Sequence, residues 1–263
     1  MNDTEIQPIL TSIIKEAGEL VKEGFYTTKQ ISFKSPSDPV TNIDLASETL
    51  IRERLNQYFP DIEILGEEYG GNIISDELRW VIDPIDGTRN FAAGIPHFCV
   101  SIGLVQGNNP VVGAIYDPIR DELFFSQSNQ GATLNGEAMQ VSTKTNPGDF
   151  IIGLDIGHVD EKAMLAFKLI ENLFPTMQCL RIFGSAALGM AYAASGRIDI
   201  FLHHSLKPWD IAAGLLLVTE SNGITLDKAT LKQANLLTQG LLCSSEELLN
   251  VFLKMTENEK WYQ

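Results

Sequence analysis

The stretch "WVIDPIDGTRNF", residues 80–91, runs an apolar segment into Asp83, sets a second acid at Asp86 and follows it with Gly87 and Thr88. A strand that buries Trp80, Val81 and Ile82 has little use for a carboxylate at its end unless that end opens onto a ligand, and ligands of α/β proteins gather at strand ends. Pro84 is expected to turn the chain out of the strand. Such a turn can put the Asp83 carboxylate, the Ile85 carbonyl and the Asp86 carboxylate around one small volume, a set of hard oxygen donors suited to magnesium. Gly87 lets backbone approach a ligand closely, and N–H groups opening a turn or helix suit a phosphate. An Asp-Pro turn with an Asx-type hydrogen bond explains the same letters without a ligand. The stretch alone leaves both readings open.

Three other places add acids in similar settings. "GEEYG" (66–70) follows the strand "IEIL" and puts Glu67 and Glu68 at a strand end; "DPVTNID" (38–44) puts Thr41 and Asp44 at the start of a helix; "KPWDIAAG" (207–214) puts Asp210 in the first turn of a helix that begins near Pro208. Each has a local alternative: a solvated turn for the glutamates, a capping box for Thr41 and Asp44, and a favourable dipole for Asp210. Their joint occurrence favours a shared site, because like charges brought together repel unless cations neutralise them. "DPIRD" (117–121) echoes "DPID" (83–86) but lacks the following Gly-Thr, and reads as a strand-to-strand turn.

Around these motifs the texture of the chain changes once. Ile6, Ile9, Leu10, Ile13, Ala17, Leu20 and Val21 recur at helical spacing and predict a long amphipathic helix over 4–25. A second helix is expected over 42–58, and "FKSPSDPVT" between the two reads as a loop. From 62 to 141 short strands dominate, divided by turns such as Asn108-Asn109-Pro110 and Asn135-Gly136, and suggest a mostly antiparallel sheet backed by helices. After about 150, strands ("FIIGLD", "CLRIF", "IDIFL", "GIT", "GLLC") alternate with helices near 160–173, 185–195, 209–221 and from 245, the pattern of an α/β layer. The expected division is 1–145, with the helices, the antiparallel sheet and most of the acids, and 146–263, an α/β layer supplying Asp210, the two packing tightly.

With 263 residues, 44% of them hydrophobic, the chain can bury a large core. It has no run of about 18 apolar residues and no secretory signal pattern at its start, so a soluble, cytoplasmic protein is expected. Cys99, Cys179 and Cys243 are odd in number and lie in apolar surroundings, which suits free thiols better than disulfides or a metal cluster. The net charge of −15 disfavours nucleic acid or an anionic membrane as the main partner. It does not disfavour a phosphorylated substrate, since divalent cations in an acidic site reverse the local sign.

In order along the chain, "DPVTNID", "GEE", "WVIDPIDGTRNF" and "PWDIAAGLLLVTESNG" resemble the signatures of the inositol monophosphatase family, magnesium-dependent and typically lithium-sensitive phosphomonoesterases. "GIPHFCVSIGL", "GAIYDPIRDELFF" and "RIFGSAALGMAYAASGRID" extend the resemblance over most of the sequence. It implies an α/β (α+β) fold, the layered αβαβα sandwich of the inositol monophosphatase and fructose-1,6-bisphosphatase type, and a homodimer. It also implies roles. Glu67, Asp83 and the Ile85 carbonyl would hold a first Mg²⁺; Asp83, Asp86 and Asp210 would hold a second; Glu67 would help with a third, weaker ion, and Mn²⁺ is an alternative metal. Gly87 and Thr88 would bind phosphate, while Thr88, bonded to Asp44, would orient and activate the attacking water. One such cation would make hydroxide available near neutral pH and the other would stabilise the leaving oxygen.

Substrate choice is less defined. Inositol-preferring members usually carry a glutamate at the position held here by His203, and a histidine is no longer a fixed anionic acceptor. For His203 and His204 a surface loop and a substrate role both stand. Gly184, Ser185 and Ala186 match the segment that lines the substrate side, as Asp86 does. Inositol monophosphate leads; fructose-1,6-bisphosphate and histidinol phosphate stay open. So does 3′-phosphoadenosine 5′-phosphate, disfavoured by "IIGLDIGH" where a Ser-x-Ser-His-like segment would stand. His97 and His158 carry no clear signal, and His97 reads as a packed loop residue. A non-catalytic interaction protein would be marked by the loss of a metal or water-activating residue, and none is missing.

Overall fold

The computed structural model describes residues 3–35, 38–157, 161–259 and 261; His158 lies outside them. The chain opens on α1 (Asp3–Phe25), whose Ile6, Leu10, Ile13, Ile14, Ala17 and Val21 are buried along one face as the spacing predicts. The segment expected to be a loop instead pairs β1 (Ile31–Ser35) with β2 (Asp38–Thr41) in an antiparallel ribbon. Proline is tolerated there because a two-stranded ribbon leaves one edge of each strand unpaired. α2 (Asn42–Tyr58) follows, and α1 and α2 pack on each other and on the sheet behind them.

That sheet joins β3 (Glu63–Gly66), β4 (Leu78–Asp86), β5 (Cys99–Gln106), β6 (Asn109–Asp117), β7 (Glu122–Gln127), β8 (Ala132–Leu134) and β9 (Glu137–Ala138) in sequence order. Only the β3–β4 pair is parallel. A second sheet has the order β11-β10-β12-β14-β13, from β10 (Ile151–Asp155), β11 (Cys179–Ile182), β12 (Ile200–His203), β13 (Ile224–Asp227) and β14 (Leu241–Ser244). Between the sheets lie α5 (Ala186–Ala194) and α6 (Pro208–Glu220). Every residue of α5 is buried, as a helix covered on both sides requires. α6 lies so close to the first sheet that a Cβ at Gly113 would come within 2.7 Å of the Ala213 carbonyl oxygen. α4 (Glu161–Leu173) and α7 (Glu246–Met255) cover the outer face of the second sheet through a core that includes Leu169, Leu202 and Phe252. The layers run helix, sheet, helix, sheet, helix, as the resemblance implies. Each large apolar side chain so buried contributes about 1.5–3 kcal/mol.

The three cysteines are free thiols, with Cys99 and Cys243 buried. Among the described residues, no helix is long and apolar enough to cross a membrane.

Candidate active site

Asp83 does not end its strand. β4 continues to Asp86, and Pro84 is accommodated by a bulge: Asp83 pairs with Ser101 and Asp86 with Cys99, so three steps on β4 match two on β5. The difference corrects the expected turn and has a physical consequence. On a regular strand, side chains three residues apart point to opposite faces. The extra residue of a bulge re-aims them, and both carboxylates reach one volume. Asp210 joins them from the first turn of α6, and ligand atoms of Asp83, Asp86 and Asp210 all lie within 4.8 Å of one another.

The local alternatives prove compatible with this convergence. The Ile85 N–H donates to Asp83 Oδ1 at 3.0 Å, an Asx-type turn, and the Lys207 N–H donates to Asp210 Oδ2 at 2.7 Å, capping α6. Asp86 stands at the N-terminus of α5. Its Oδ2 accepts from the Ser185 hydroxyl and from the Ala187 N–H at 2.8 Å, and its Oδ1 from the Ala186 N–H at 3.3 Å. Gly184, with φ of +75°, turns the chain into this helix start.

Because β3 runs parallel to β4 with Gly66 opposite Ile82, Glu67 emerges at the same sheet end. The two glutamates of its turn are not solvated: Glu67 is 17% and Glu68 3% exposed in the side chain. Buried Glu48 on α2 accepts from the N–H groups of Glu68 (2.7 Å) and Tyr69 (3.2 Å) while paired to Arg52 at 2.8 Å. Lys34 on β1 donates to Glu67 at 2.8 Å and to Glu68 at 2.7 Å.

Thr41 and Asp44 form the capping box of α2, and Asp44 does more. Its Oδ2 accepts from the Thr41 N–H at 2.8 Å, while its Oδ1 lies 3.1 Å from the Thr88 hydroxyl. That hydroxyl also lies 2.9 Å from the Ile85 carbonyl. A hydroxyl has one proton, so donation to either leaves its lone pairs open. Gly87, with φ of +96°, introduces α3 (Thr88–Ala93), a helix not singled out from the sequence. A Cβ there would meet the His97 and Gly184 carbonyl oxygens at 3.1 and 3.2 Å.

Electrostatically the cluster is under-compensated. Burial, then the charges of Glu67, Asp86 and Asp210, hold Asp83 well above the usual carboxylate range. Burial, then Asp86, does the same to Asp210. Burial raises Glu67 against the pull of Lys34, raises Asp44 against its hydrogen bonds with Thr41, and pushes Glu68 up to about 7. Among the described residues, no ion pair involves Asp83, Asp86 or Asp210. Crowded oxygen donors without a matching cation fit a hard divalent ion, which would relieve the repulsion.

The cluster lines a cleft of about 340 Å³ that also takes in Gly184, Ser185, Ala186 and His203. His203 and His204 are 6% and 1% exposed, so neither belongs to a surface loop. They end and follow a strand, and successive side chains diverge: His203 lines the cleft, whereas His204 meets Lys228 Nζ at 2.8 Å. His97 stacks on Phe183 at 5.3 Å, with burial lowering its pKa to about 4, a packed residue as expected.

Three contributors escaped the sequence reading. Lys34 and Glu48 leave no local mark, since their partners are 33 and 20 positions away. Asp155 did leave one: "IIGLD" ends an apolar strand on an acid, as "WVID" does.

The sequence profile of the inositol monophosphatase family matches residues 2–260. Inositol monophosphatase 1 of Solanum lycopersicum is 35% identical over 257 residues, covering 95% of this chain and 94% of its own length. A protein named Nus factor SuhB, from Pasteurella multocida, is 38% identical over 229 residues, covering 84% and 86%. Among solved structures, extragenic suppressor protein suhB from Bartonella henselae superposes with a TM-score of 0.88 at 32% identity, over 97% of this chain and 98% of that one. An inositol monophosphatase from Anabaena gives 0.85 at 30% identity, over 98% of each. Profile, relatives and superposition run nearly the full length of the chain, and the chain belongs to the inositol monophosphatase family.

Proposed function

We propose that the protein is a Mg²⁺-dependent, lithium-sensitive cytoplasmic phosphatase that hydrolyses a small phosphate monoester, with inositol monophosphate the leading substrate. The observation that carries this reading is the β4 bulge, which turns Asp83 and Asp86 onto one face where Asp210 meets them. Asp83, Asp86, Asp210, Glu67 and the Ile85 carbonyl are the groups to hold the metal. Bound divalent ions supply a lowered water pKa and charge stabilisation at the leaving oxygen.

The protein's own groups do the rest. Asp44 accepts a hydrogen bond from the Thr88 hydroxyl, which turns the hydroxyl's lone pair toward a water and fixes that water for in-line attack. The N–H groups of Gly87 and Thr88, at the start of α3, receive phosphoryl oxygens. Gly184, Ser185, Ala186 and His203 line the side from which the alcohol departs. The homodimer reading draws support from exposed Met164, Phe167 and Phe174, and from exposed Ile182 on the edge strand β11.

Phosphate release from inositol, sugar, histidinol and nucleotide monophosphates, with and without Mg²⁺, tests the reading. Metal-dependent turnover led by inositol monophosphate is expected; turnover that ignores metal would refute it. The relatives named Nus factor SuhB favour a second reading, a protein factor of the same fold that acts by binding. Mg²⁺ uptake without activity on any of these esters would favour that alternative.

A further inference from the structure

Asp86, one of the three acids that converge, is held from behind by a cradle of donors. Its Oδ2 accepts from the Ser185 hydroxyl and from the Ala187 N–H at 2.8 Å, with the Cys99 thiol 3.7 Å away; its Oδ1 accepts from the Ala186 N–H at 3.3 Å. Three donors thus share the two lone pairs of Oδ2, whereas Oδ1 keeps one for a further partner. Ser185 lines the cleft but is 2% exposed, and its hydroxyl is committed. The hydroxyl oxygen accepts from the Leu188 N–H at 3.4 Å as the N-cap of α5, so its one proton goes to Asp86. The segment carrying Ser185 is itself fixed, because buried Asp155 at the end of β10 accepts from the N–H groups of Phe183 at 3.0 Å, Gly184 at 2.7 Å and Ser185.

We infer that Ser185 is a positioning residue for the metal: its hydroxyl pins one oxygen of Asp86 against α5 and leaves the other for a divalent cation shared with Asp83 and Asp210. This assignment rests on the proposed metal site, and it moves the Ser185 side chain from the alcohol to the ion. A carboxylate free to rotate has to be ordered when the ion arrives, and that ordering weakens binding. One already hydrogen-bonded is ordered beforehand. Loss of such a partner behind a metal ligand typically costs about 10- to 100-fold in metal affinity or activity.

Ser185→Gly separates positioning from capping, since glycine caps a helix nearly as well as serine but offers no hydroxyl. The calorimetric Mg²⁺ affinity of the variant is expected to fall about tenfold or more, and Ser185→Thr, which keeps the hydroxyl, to restore it to within about threefold. With inositol 1-phosphate, kcat of Ser185→Gly should fall at low Mg²⁺ and recover as Mg²⁺ is raised to saturation, with KM there within about twofold of wild type. Unchanged Mg²⁺ affinity in Ser185→Gly would leave Ser185 a helix cap alone and overturn the assignment. So would a rise in KM at saturating Mg²⁺ with no loss of Mg²⁺ affinity, the mark of a side chain that touches the ester. Should the glycine variant fail to fold, Ser185→Ala is titrated in its place, with the same expectation and the same refutation. A wild type that takes up Mg²⁺ but hydrolyses no ester would sink the phosphatase reading and leave the affinity comparison to decide Ser185. Equal Mg²⁺ affinity in an active wild type and its variant sinks this assignment alone, and a wild type that takes up no Mg²⁺ sinks both.

Discussion

Two places in the first sheet carry the same three letters, Asp-Pro-Ile, at positions 83–85 and 117–119. Both bury the aspartate and both close an Asx-type turn: Asp83 Oδ1 accepts from Ile85 N–H at 3.0 Å, and Asp117 Oδ1 from Ile119 N–H at 2.9 Å. They part at the next group. Asp117 finds a cation in its own turn, Arg120 at 2.7 Å. Asp83 finds Glu67, Asp86 and Asp210, and its charge is opposed rather than answered. The tripeptide encodes a turn; the company it keeps in space makes it either a strut or a candidate metal cage.

The sharpest way to break the contrast is to neutralise each acid. If the proposed metal site is right, Asp83→Asn is expected to cut kcat by about a thousandfold or more, as loss of an acid that would hold the metal should, while the metal-free variant melts no lower than wild type because a repelled charge has gone. Near-normal turnover by purified Asp83→Asn would end the metal-cage reading. Asp117→Asn should do the reverse. It keeps the acceptor for two N–H groups but loses a buried charge from an ion pair, so urea denaturation should show a loss of about 1–3 kcal/mol, with kcat within about twofold.

Smaller effects refine the Asp83 side. Thr88→Ala removes the hydroxyl between Asp44 and the water position, and kcat should drop about ten- to a hundredfold. Calorimetric Mg²⁺ affinity should change far less than in Asp83→Asn; an equal fall would assign Thr88 to the metal instead. The smallest signal is in pH. Carboxyls with raised folded pKa bind more protons folded than unfolded, so the metal-free protein should lose stability as pH rises from the ordinary carboxylate range toward about 7, the value reached by Glu68 and Asp155. Saturating Mg²⁺ should raise the melting temperature most at the upper end of that range. A melting curve for chelator-treated protein that rises with pH through this window would contradict the under-compensated cluster.

Legibility followed the range of the interaction. Helices α1 and α2 announced themselves by periodicity, and the free cysteines by number and setting. The β1–β2 ribbon was hidden because Pro39, read by itself, looks like punctuation. For His203 and His204 a surface loop and a substrate role both stood because a histidine pair has no period; strand alternation sends one to the cleft and the other to Lys228. Asp155 carried the same sign as Asp83, an acid closing an apolar run, but with no Gly-Thr behind it.

The amino-acid order by itself determined most of the longer helices and strands, where acids stand at their ends, and the family to which the whole pattern belongs, since these depend on side-chain spacing along a few turns or pleats. Only the tertiary structure decided that Pro84 bulges β4 instead of ending it, that Lys34 and Glu48 hold the Glu67 turn, and that Asp155 is buried against the Phe183 and Gly184 N–H groups. Those outcomes depend on which residues from distant parts of the chain share a buried volume, and burial sets the cost of every unpaired charge in it.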